Sequence, residues 1–147
     1  MMSNCTGGMV ILTGASSGIG LAMTKALLSN GYSVTGIARS FDAGVINSEN
    51  FEAVTLDLSE LDLLSKRLGE IISEISIPIR AVVHNAGVGK FASVEQLSVP
   101  DMKLVMETNF LSHAIVTKVL LPILKRQDTL ADIVFMGSES SINGSRY

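Results

Sequence analysis

The sequence predicts an α/β fold in which helices cover both faces of a parallel sheet. Short apolar runs alternate with helical patterns along the 147 residues, a Gly-rich turn joins the first run to the first helix, and internal repeats and linkers are lacking. Strands that alternate with helices pair in parallel through right-handed crossovers. We therefore predict one domain, residues 1–147, with a doubly wound sheet of strand order 3-2-1-4-5 and a ligand crevice between strands 1 and 4, where the order reverses.

The first half of the chain supplies three strands and a helix. Apolar runs this short, bounded by glycine or polar residues, favour strands, and apolar residues at helical spacing before Asn30 and Gly31 indicate a helix with its stop signal. The predicted elements are strand 1 at Met9–Leu12, a helix at Gly18–Ser29, strand 2 at Tyr32–Ala38 and strand 3 at Phe51–Leu56.

The second half begins with a helix for which Ser59 is the expected N-cap and which ends before Pro78. Pro100 near a first helical position announces a long helix, and Pro122 is expected to kink its last turns. The predicted elements after Pro78 are strand 4 at Arg80–His84, the long helix at about Asp101–Arg126 and strand 5 at Asp132–Met136.

Composition narrows the function classes. The net charge of -3 and the scattered Lys and Arg residues argue against a nucleic-acid or membrane-surface partner. The single cysteine, Cys5, has no metal-ligand spacing and is interpreted as a structural or exposed thiol. Met1–Thr6 lacks the pattern of a signal peptide and no run of about 18 apolar residues occurs. The sequence thus predicts a soluble cytoplasmic protein without a metal site.

Four loops meet at the predicted crevice. They are the glycine turn Thr13–Gly20, Arg39-Ser40, Asp57-Leu58 and Asn85-Ala86-Gly87. A glycine turn that opens a helix can cradle phosphate, because the backbone approaches closely and the helix N-terminus offers unpaired N–H groups. The alternative is a tight strand-to-helix connection. A P-loop NTPase is disfavoured, because Gly18-Ile19-Gly20 stands where Gly-Lys-Ser/Thr is required.

Three of these segments, the glycine turn, Asp57-Leu58 and Asn85-Ala86-Gly87, together with Asn109 resemble the short-chain dehydrogenase/reductase family. The resemblance covers the chain in the right order, and the family's glycine turn shares the G-x-x-x-G-x-G spacing found here, which differs from the G-x-G-x-x-G fingerprint. It implies a Rossmann-like fold and a nicotinamide-dependent oxidoreductase that interconverts a small-molecule carbonyl and its alcohol.

The resemblance also implies roles for the crevice residues. The glycine turn would line the pyrophosphate and its ribose, Asp57 and Leu58 would hold the adenine, and the segment after strand 4 would back the ribose. For Asp57 a helix-capping role stays open, and for Asn85 that of a turn residue. The implied cofactor-binding residues from these segments are Gly14, Ser16, Ser17, Gly18, Ile19, Gly20, Asp57, Leu58, Asn85, Ala86 and Gly87.

The end of strand 2 bears on the choice of cofactor. An acidic residue at the end of strand 2 would accept hydrogen bonds from the ribose 2′-OH, and a methyltransferase would be expected to place one near Arg39 for its ribose. The chain instead has Arg39 and Ser40, and arginine makes charge-assisted contacts with phosphate. We predict NADP(H) in preference to NAD(H). The alternative is that Arg39 is a solvated loop charge.

Two residues are candidates for the chemistry. Asn109 lies on an apolar helical stripe and needs hydrogen-bond partners, which a helix-to-sheet contact would supply. The resemblance makes it the family's active-site Asn, which helps to hold a relay water. Ser138 follows strand 5, where the family places the Ser that binds the substrate oxygen, although a turn residue is the alternative. His84 is interpreted as a packed strand-end residue.

The resemblance stops before the family's proton donor, the Tyr of a Tyr-x-x-x-Lys pair. No such pair occurs, and Tyr147, nine residues after Ser138, is interpreted as a loop residue preceding that Tyr. We expect an N-terminal part of an enzyme, truncated after strand 5, inactive alone and self-associating through the long helix. The second hypothesis is a non-catalytic nucleotide-binding or interaction module. The substrate and the direction of reaction are not encoded in these residues.

Overall fold

The computed structural model describes residues 7–90 and 92–139. Its five strands form one parallel sheet in the order β3-β2-β1-β4-β5, which confirms the predicted topology. The strands are β1 Met9–Thr13, β2 Ser33–Ala38, β3 Phe51–Thr55, β4 Ile79–His84 and β5 Asp132–Phe135. The helical segments are α1 Gly18–Ser29, α2 Leu61–Glu74, α3 Val99–Met106, a π-helical turn Glu107–Leu111 and α4 Ser112–Leu124.

The central strands are covered on both faces. Every residue of β1 and of β2 is buried, as near-continuous apolar runs in a parallel sheet require. Side chains alternate along β1, so that Met9 and Ile11 join one core cluster while Val10 and Leu12 join the other. The first cluster includes α2 and α4 residues and the second includes α1 residues. The helices thus divide between the two faces, as predicted.

The start of α2 differs from the prediction. The helix begins at Leu61, with Glu60 rather than Ser59 in the cap position. Asp57 Oδ1 accepts hydrogen bonds from the Ser59 backbone N–H at 2.9 Å and from Ser59 Oγ at 2.8 Å. The prediction that Ser59 caps the helix is wrong, because the Asp57 carboxylate engages Ser59 in a turn that delays the helix start.

The long helix is found where it was expected, but it is not uniform. The Ser98 side chain caps it by accepting from the Asp101 backbone N–H at 3.2 Å, and Pro100 lies in its first turn. The π-helical turn Glu107–Leu111, which the sequence did not predict, separates α3 from α4. Such turns are often found at functional sites, and this one contains Asn109.

The helical stretch Val99–Leu124 is also the one stretch in the described part of the chain that is long and apolar enough to cross a membrane, with a hydropathy of 1.2. A core helix can have the same composition. In the structure Val116 and Leu120 of this helix are fully buried in the core cluster that includes α2 residues. The absence of a membrane partner stays a prediction.

The last strand forms one edge of the sheet. Within the described residues β5 pairs with β4 alone, and Arg80 of β4 forms an ion pair with Asp132 at 2.5 Å. Phe135 remains 59% exposed and Val134 40% exposed. The side chains of β5 are therefore much less covered than those of β1 and β2.

Candidate functional site

A cavity of about 510 Å³ lies at the carboxyl ends of β1 to β4, where the strand order reverses. This volume falls in the range of small-molecule sites, roughly 300–1,000 Å³. Twelve of the thirteen predicted cofactor-binding residues line it; Gly18, which has no atom near its Cβ position, is the exception. Lining residues that the sequence analysis missed are Ile37, Ala38, Asp42, Leu56, Val88, Leu104 and Thr108.

The glycine turn brings β1 close to the loop after β4. Gly14 has a φ of +71°, a conformation that glycine adopts without strain, and its N–H donates to the Ile37 carbonyl at 2.7 Å. A Cβ on Gly14 would lie 2.9 Å from Ala86 Cα. The crevice floor is therefore backbone packed on backbone, and a side chain at position 14 would not fit.

Helix α1 starts directly against this turn. A Cβ on Gly20 would lie 2.0 Å from the Gly14 carbonyl oxygen. Ser17 occupies the N-cap position without a side-chain cap hydrogen bond, and the first turn contains no acidic residue. The first N–H groups of α1 therefore have no side-chain acceptor, which is the arrangement that binds anions at helix N-termini.

Thr13 and Asn85 hold the two sides of the crevice together. The fully buried Thr13 Oγ1 accepts from the backbone N–H groups of Asn85 and Ala86, both at 3.0 Å. Asn85 Nδ2 donates in return to the carbonyls of Thr13 at 3.1 Å and Gly14 at 3.2 Å. The Asn85 side chain thus links the loop after β4 to the glycine turn, a contact across the fold that a simple turn residue would not make.

Two charges of opposite sign border the cavity beyond β2. Arg39 and Asp42 both line it and both are exposed, and within the described ranges no ion pair involves Arg39. Asp57 also lines the cavity, and its Oδ1 is occupied by Ser59. The turn role of Asp57 therefore uses one carboxylate oxygen and does not exclude a ligand contact through the other.

The helix-to-sheet contact predicted for Asn109 is replaced by a contact with Val88, which lies in the loop after β4. Asn109 Oδ1 accepts from the Val88 N–H and its Nδ2 donates to the Val88 carbonyl, both at 2.8 Å. Asn109 lines a neighbouring apolar groove with Phe110 and His113 and does not line the crevice. Both polar atoms of its amide are engaged with the loop after β4, and the role in holding a relay water stays a prediction.

The remaining candidates lie away from the crevice lining or outside the described residues. Ser138 follows β5, is exposed and does not line the cavity, so that its substrate role stays a prediction. Cys5 and Tyr147 lie outside the described residues. Among the residues described, no group of three or more His, Cys, Asp or Glu side chains could hold a metal ion.

A pair of buried histidines lies behind the crevice. The rings of His84 and His113 are 4.9 Å apart, and Phe135 stacks on His84 at 4.5 Å. His84 Nε2 contacts Thr117 Oγ1 at 2.9 Å and His113 Nε2 donates to the Ala86 carbonyl at 3.0 Å. Burial, together with the neighbouring His113, lowers the pKa of His84 from 6.5 to about 4, and burial lowers the pKa of His113 as well. Both rings are therefore neutral at pH 7.

The lowered pKa of His84 predicts that the folded chain loses stability in acid. Because the pKa of His84 is lower in the folded chain than its ordinary value of 6.5, the unfolded chain binds more protons between pH 6.5 and 4. The contribution of neutral His84 to the stability of the folded chain is complete above pH 6.5 and is lost as the pH falls towards 4. We expect a loss on the order of 1–2 kcal/mol in the free energy of unfolding, measured by urea titration at pH 7 and pH 4.5. His84→Gln, which does not titrate, is the control, and an equal loss in both chains would contradict the assignment.

Comparison with known proteins agrees with this geometry. Residues 8–146 match the family model described as short chain dehydrogenase. A probable short-chain type dehydrogenase/reductase, VdlC from Helicobacter pylori, is 34% identical over 123 residues, which are 81% of this chain and 44% of that protein.

Solved structures show the same fold. ElxO with NADP bound superposes with a TM-score of 0.82 at 22% identity, over 95% of this chain and 58% of that one. 4-Hydroxyisoleucine dehydrogenase complexed with NADH superposes with a TM-score of 0.75 at 21% identity, over 93% and 58%. The chain spans about half the length of these proteins. With its glycine turn, its sheet order and a family match over residues 8–146, the chain belongs to the short-chain dehydrogenase family.

Proposed function

We propose that this chain is the nucleotide-binding part of an NADP(H)-dependent oxidoreductase that interconverts a small-molecule carbonyl compound and its alcohol. The main support is that twelve of the residues predicted to bind the cofactor line one cavity. These residues come from four separate loops, so that their meeting depends on the fold and not on proximity in the sequence. Family membership supports oxidoreductase chemistry.

The residues present fit a dinucleotide. The backbone of Gly14 and Gly20 is too close to neighbouring atoms to allow a side chain, and the start of α1 leaves N–H groups for a pyrophosphate. Leu58 and the free oxygen of Asp57 would hold the adenine, and Asn85 to Gly87 would back the ribose. The bound nicotinamide would supply hydride transfer at its C4 atom.

Arg39 supports NADP(H) over NAD(H). Arg39 lines the cavity at the carboxyl end of β2 and has no ion pair among the described residues, so that its guanidinium is available for a 2′-phosphate. Asp42 favours the alternative, because a carboxylate there could accept from a ribose 2′-OH. The two related structures bind NADP in one case and NADH in the other.

The cofactor proposal is tested by titrating the purified chain with NADPH and with NADH, followed by nucleotide fluorescence. Arg39→Ala is expected to weaken NADPH binding roughly 10–100-fold, since a charge-assisted contact is lost, and to leave NADH binding within about twofold. Asp42→Asn is the matched control and should leave NADPH binding unchanged or tighter. Equal NADPH affinity for the parent chain and Arg39→Ala would defeat the assignment of the 2′-phosphate.

Binding of NADPH and its oxidation by a carbonyl compound require different residues. Because the sequence contains no Tyr-x-x-x-Lys pair, the chain alone is expected to bind NADPH without oxidising it in the presence of carbonyl compounds. The second candidate is a non-catalytic nucleotide-binding or interaction module. A reading frame that continues into Tyr-x-x-x-Lys supports the enzyme, in which Ser138 and Asn109 would take the roles proposed above. The cytoplasmic location and self-association through the long helix stay proposals.

A further inference from the structure

Three polar side chains form a row on one face of the long helix and contact, in order, the last residue of β4 and two residues of the loop after it. They stand four residues apart, and their partners stand two residues apart in the opposite chain direction. The three contacts are Thr117 to His84, His113 to Ala86 and Asn109 to Val88.

All three contacts form at once. Their lengths of 2.9, 3.0 and 2.8 Å are ordinary for hydrogen bonds. The long helix therefore has a defined register against the segment that forms one wall of the crevice.

The middle contact holds Ala86, a residue that lines the crevice, in place. Ala86 donates its N–H to Thr13 Oγ1 at 3.0 Å and accepts at its carbonyl from His113 Nε2 at 3.0 Å. Ala86 Cα is also the atom that a Cβ on Gly14 would meet at 2.9 Å. Ala86 is thus held from the β1 side and from α4, and a shift of this residue would change the width of the crevice beside the glycine turn.

We propose that His113 is a positioning residue for nucleotide binding, acting through its hydrogen bond to the Ala86 carbonyl. His113 does not line the crevice and so acts only through the loop. His113 is 8% exposed, and without its N–H the Ala86 carbonyl has no replacement donor in the described contacts. The inference rests on the proposed nucleotide-binding function and extends it to the helix behind the site.

The test compares His113→Met with His113→Gln in the full chain, using NADPH titration by fluorescence. Methionine fills a similar volume without a donor, whereas glutamine places an amide N–H near the position of Nε2. We expect His113→Met to weaken NADPH binding about tenfold and His113→Gln to stay within about threefold of the parent. Equal affinities for all three chains, or equal losses in both variants, would overturn the proposal.

Thr117→Val is the control for a merely structural role, since Thr117 contacts His84 and not the crevice loop. It is expected to lower the melting temperature and leave the NADPH dissociation constant of the folded chain unchanged. A loss of affinity equal to that of His113→Met would contradict a specific role for His113. If the parent chain binds neither NADPH nor NADH, the proposed function itself fails.

A measurement on the unmodified chain does not depend on any variant folding. Because a carbonyl can only accept, the neutral His113 ring must carry its proton on Nε2. Long-range ¹H–¹⁵N spectra of the imidazole at pH 7.5 are expected to show the Nε2–H tautomer for His113. The Nδ1–H tautomer would show that the bond to Ala86 does not form and would overturn the proposal.

Discussion

Replacing Gly20 with alanine is expected to destabilise the chain by about 3 kcal/mol and to weaken NADPH binding more than tenfold. The new Cβ would lie 2.0 Å from the Gly14 carbonyl oxygen and 2.6 Å from Asn85 Nδ2. Since the first of these is a backbone atom, α1 must move away from the turn. That movement separates the N-terminus of α1 from the Gly14 backbone, and both are required for the phosphate cradle.

Gly69→Ala is the matched control for this substitution. Gly69 lies inside α2, and apart from its chain neighbours and the nearby backbone of its own helix no described atom lies within 4 Å of the position its Cβ would take. Alanine there should stabilise the chain by about 0.5–1 kcal/mol, because it favours helix over the unfolded chain. Urea unfolding and NADPH titration of the two variants separate the steric contact from the general effect of a glycine-to-alanine change. A Gly20→Ala chain with the stability and affinity of its parent would show that the turn does not pack as described.

The topology was predictable because its signals are local and agree with one another. The alternation of short apolar runs with helical patterns implied parallel pairing, and parallel pairing leaves few strand orders. The glycines of the turn between β1 and α1 marked the place where backbone meets backbone. The four loops then had to meet, since the carboxyl ends of neighbouring parallel strands lie at one edge of the sheet.

Features that depend on contacts across the fold were not predictable in this way. Asp57 and Ser59 are both residue types that cap helices. The hydrogen bonds from Ser59 to Asp57 engage both residues in a turn, and α2 starts after it. The π-helical turn at Asn109 has no composition signal of its own. Asp42 lines the cavity from the loop after β2, whose course the sequence pattern does not specify.

The role of His113 was also missed, although a signal for it was present. Asn109, His113 and Thr117 repeat at intervals of four residues along the long helix, which indicates a polar stripe that needs partners. His84 was correctly interpreted as a packed strand-end residue, since it is fully buried. The identity of the partners, one residue at the end of β4 and two in the loop after it, required the fold.

Replacing Thr13 with valine should destabilise the chain by about 3 kcal/mol with almost no change in side-chain volume. Thr13 is fully buried, and its Oγ1 is the acceptor for the backbone N–H groups of both Asn85 and Ala86. Valine would leave both donors without that acceptor, and unsatisfied donors of this kind cost about 1–3 kcal/mol each. The free energy of unfolding in urea is the measurement.

Thr13→Ser separates the hydroxyl from the methyl group. Serine keeps the acceptor oxygen and should cost only about 1 kcal/mol, the contribution of one buried methyl. If valine and serine destabilise the chain equally, the hydroxyl does not hold the loop after β4 in place. A larger loss for valine, accompanied by weaker NADPH binding, would show that the crevice depends on this buried oxygen. Thr13 would then link fold stability to nucleotide binding, because the two N–H groups it accepts from belong to residues that line the crevice.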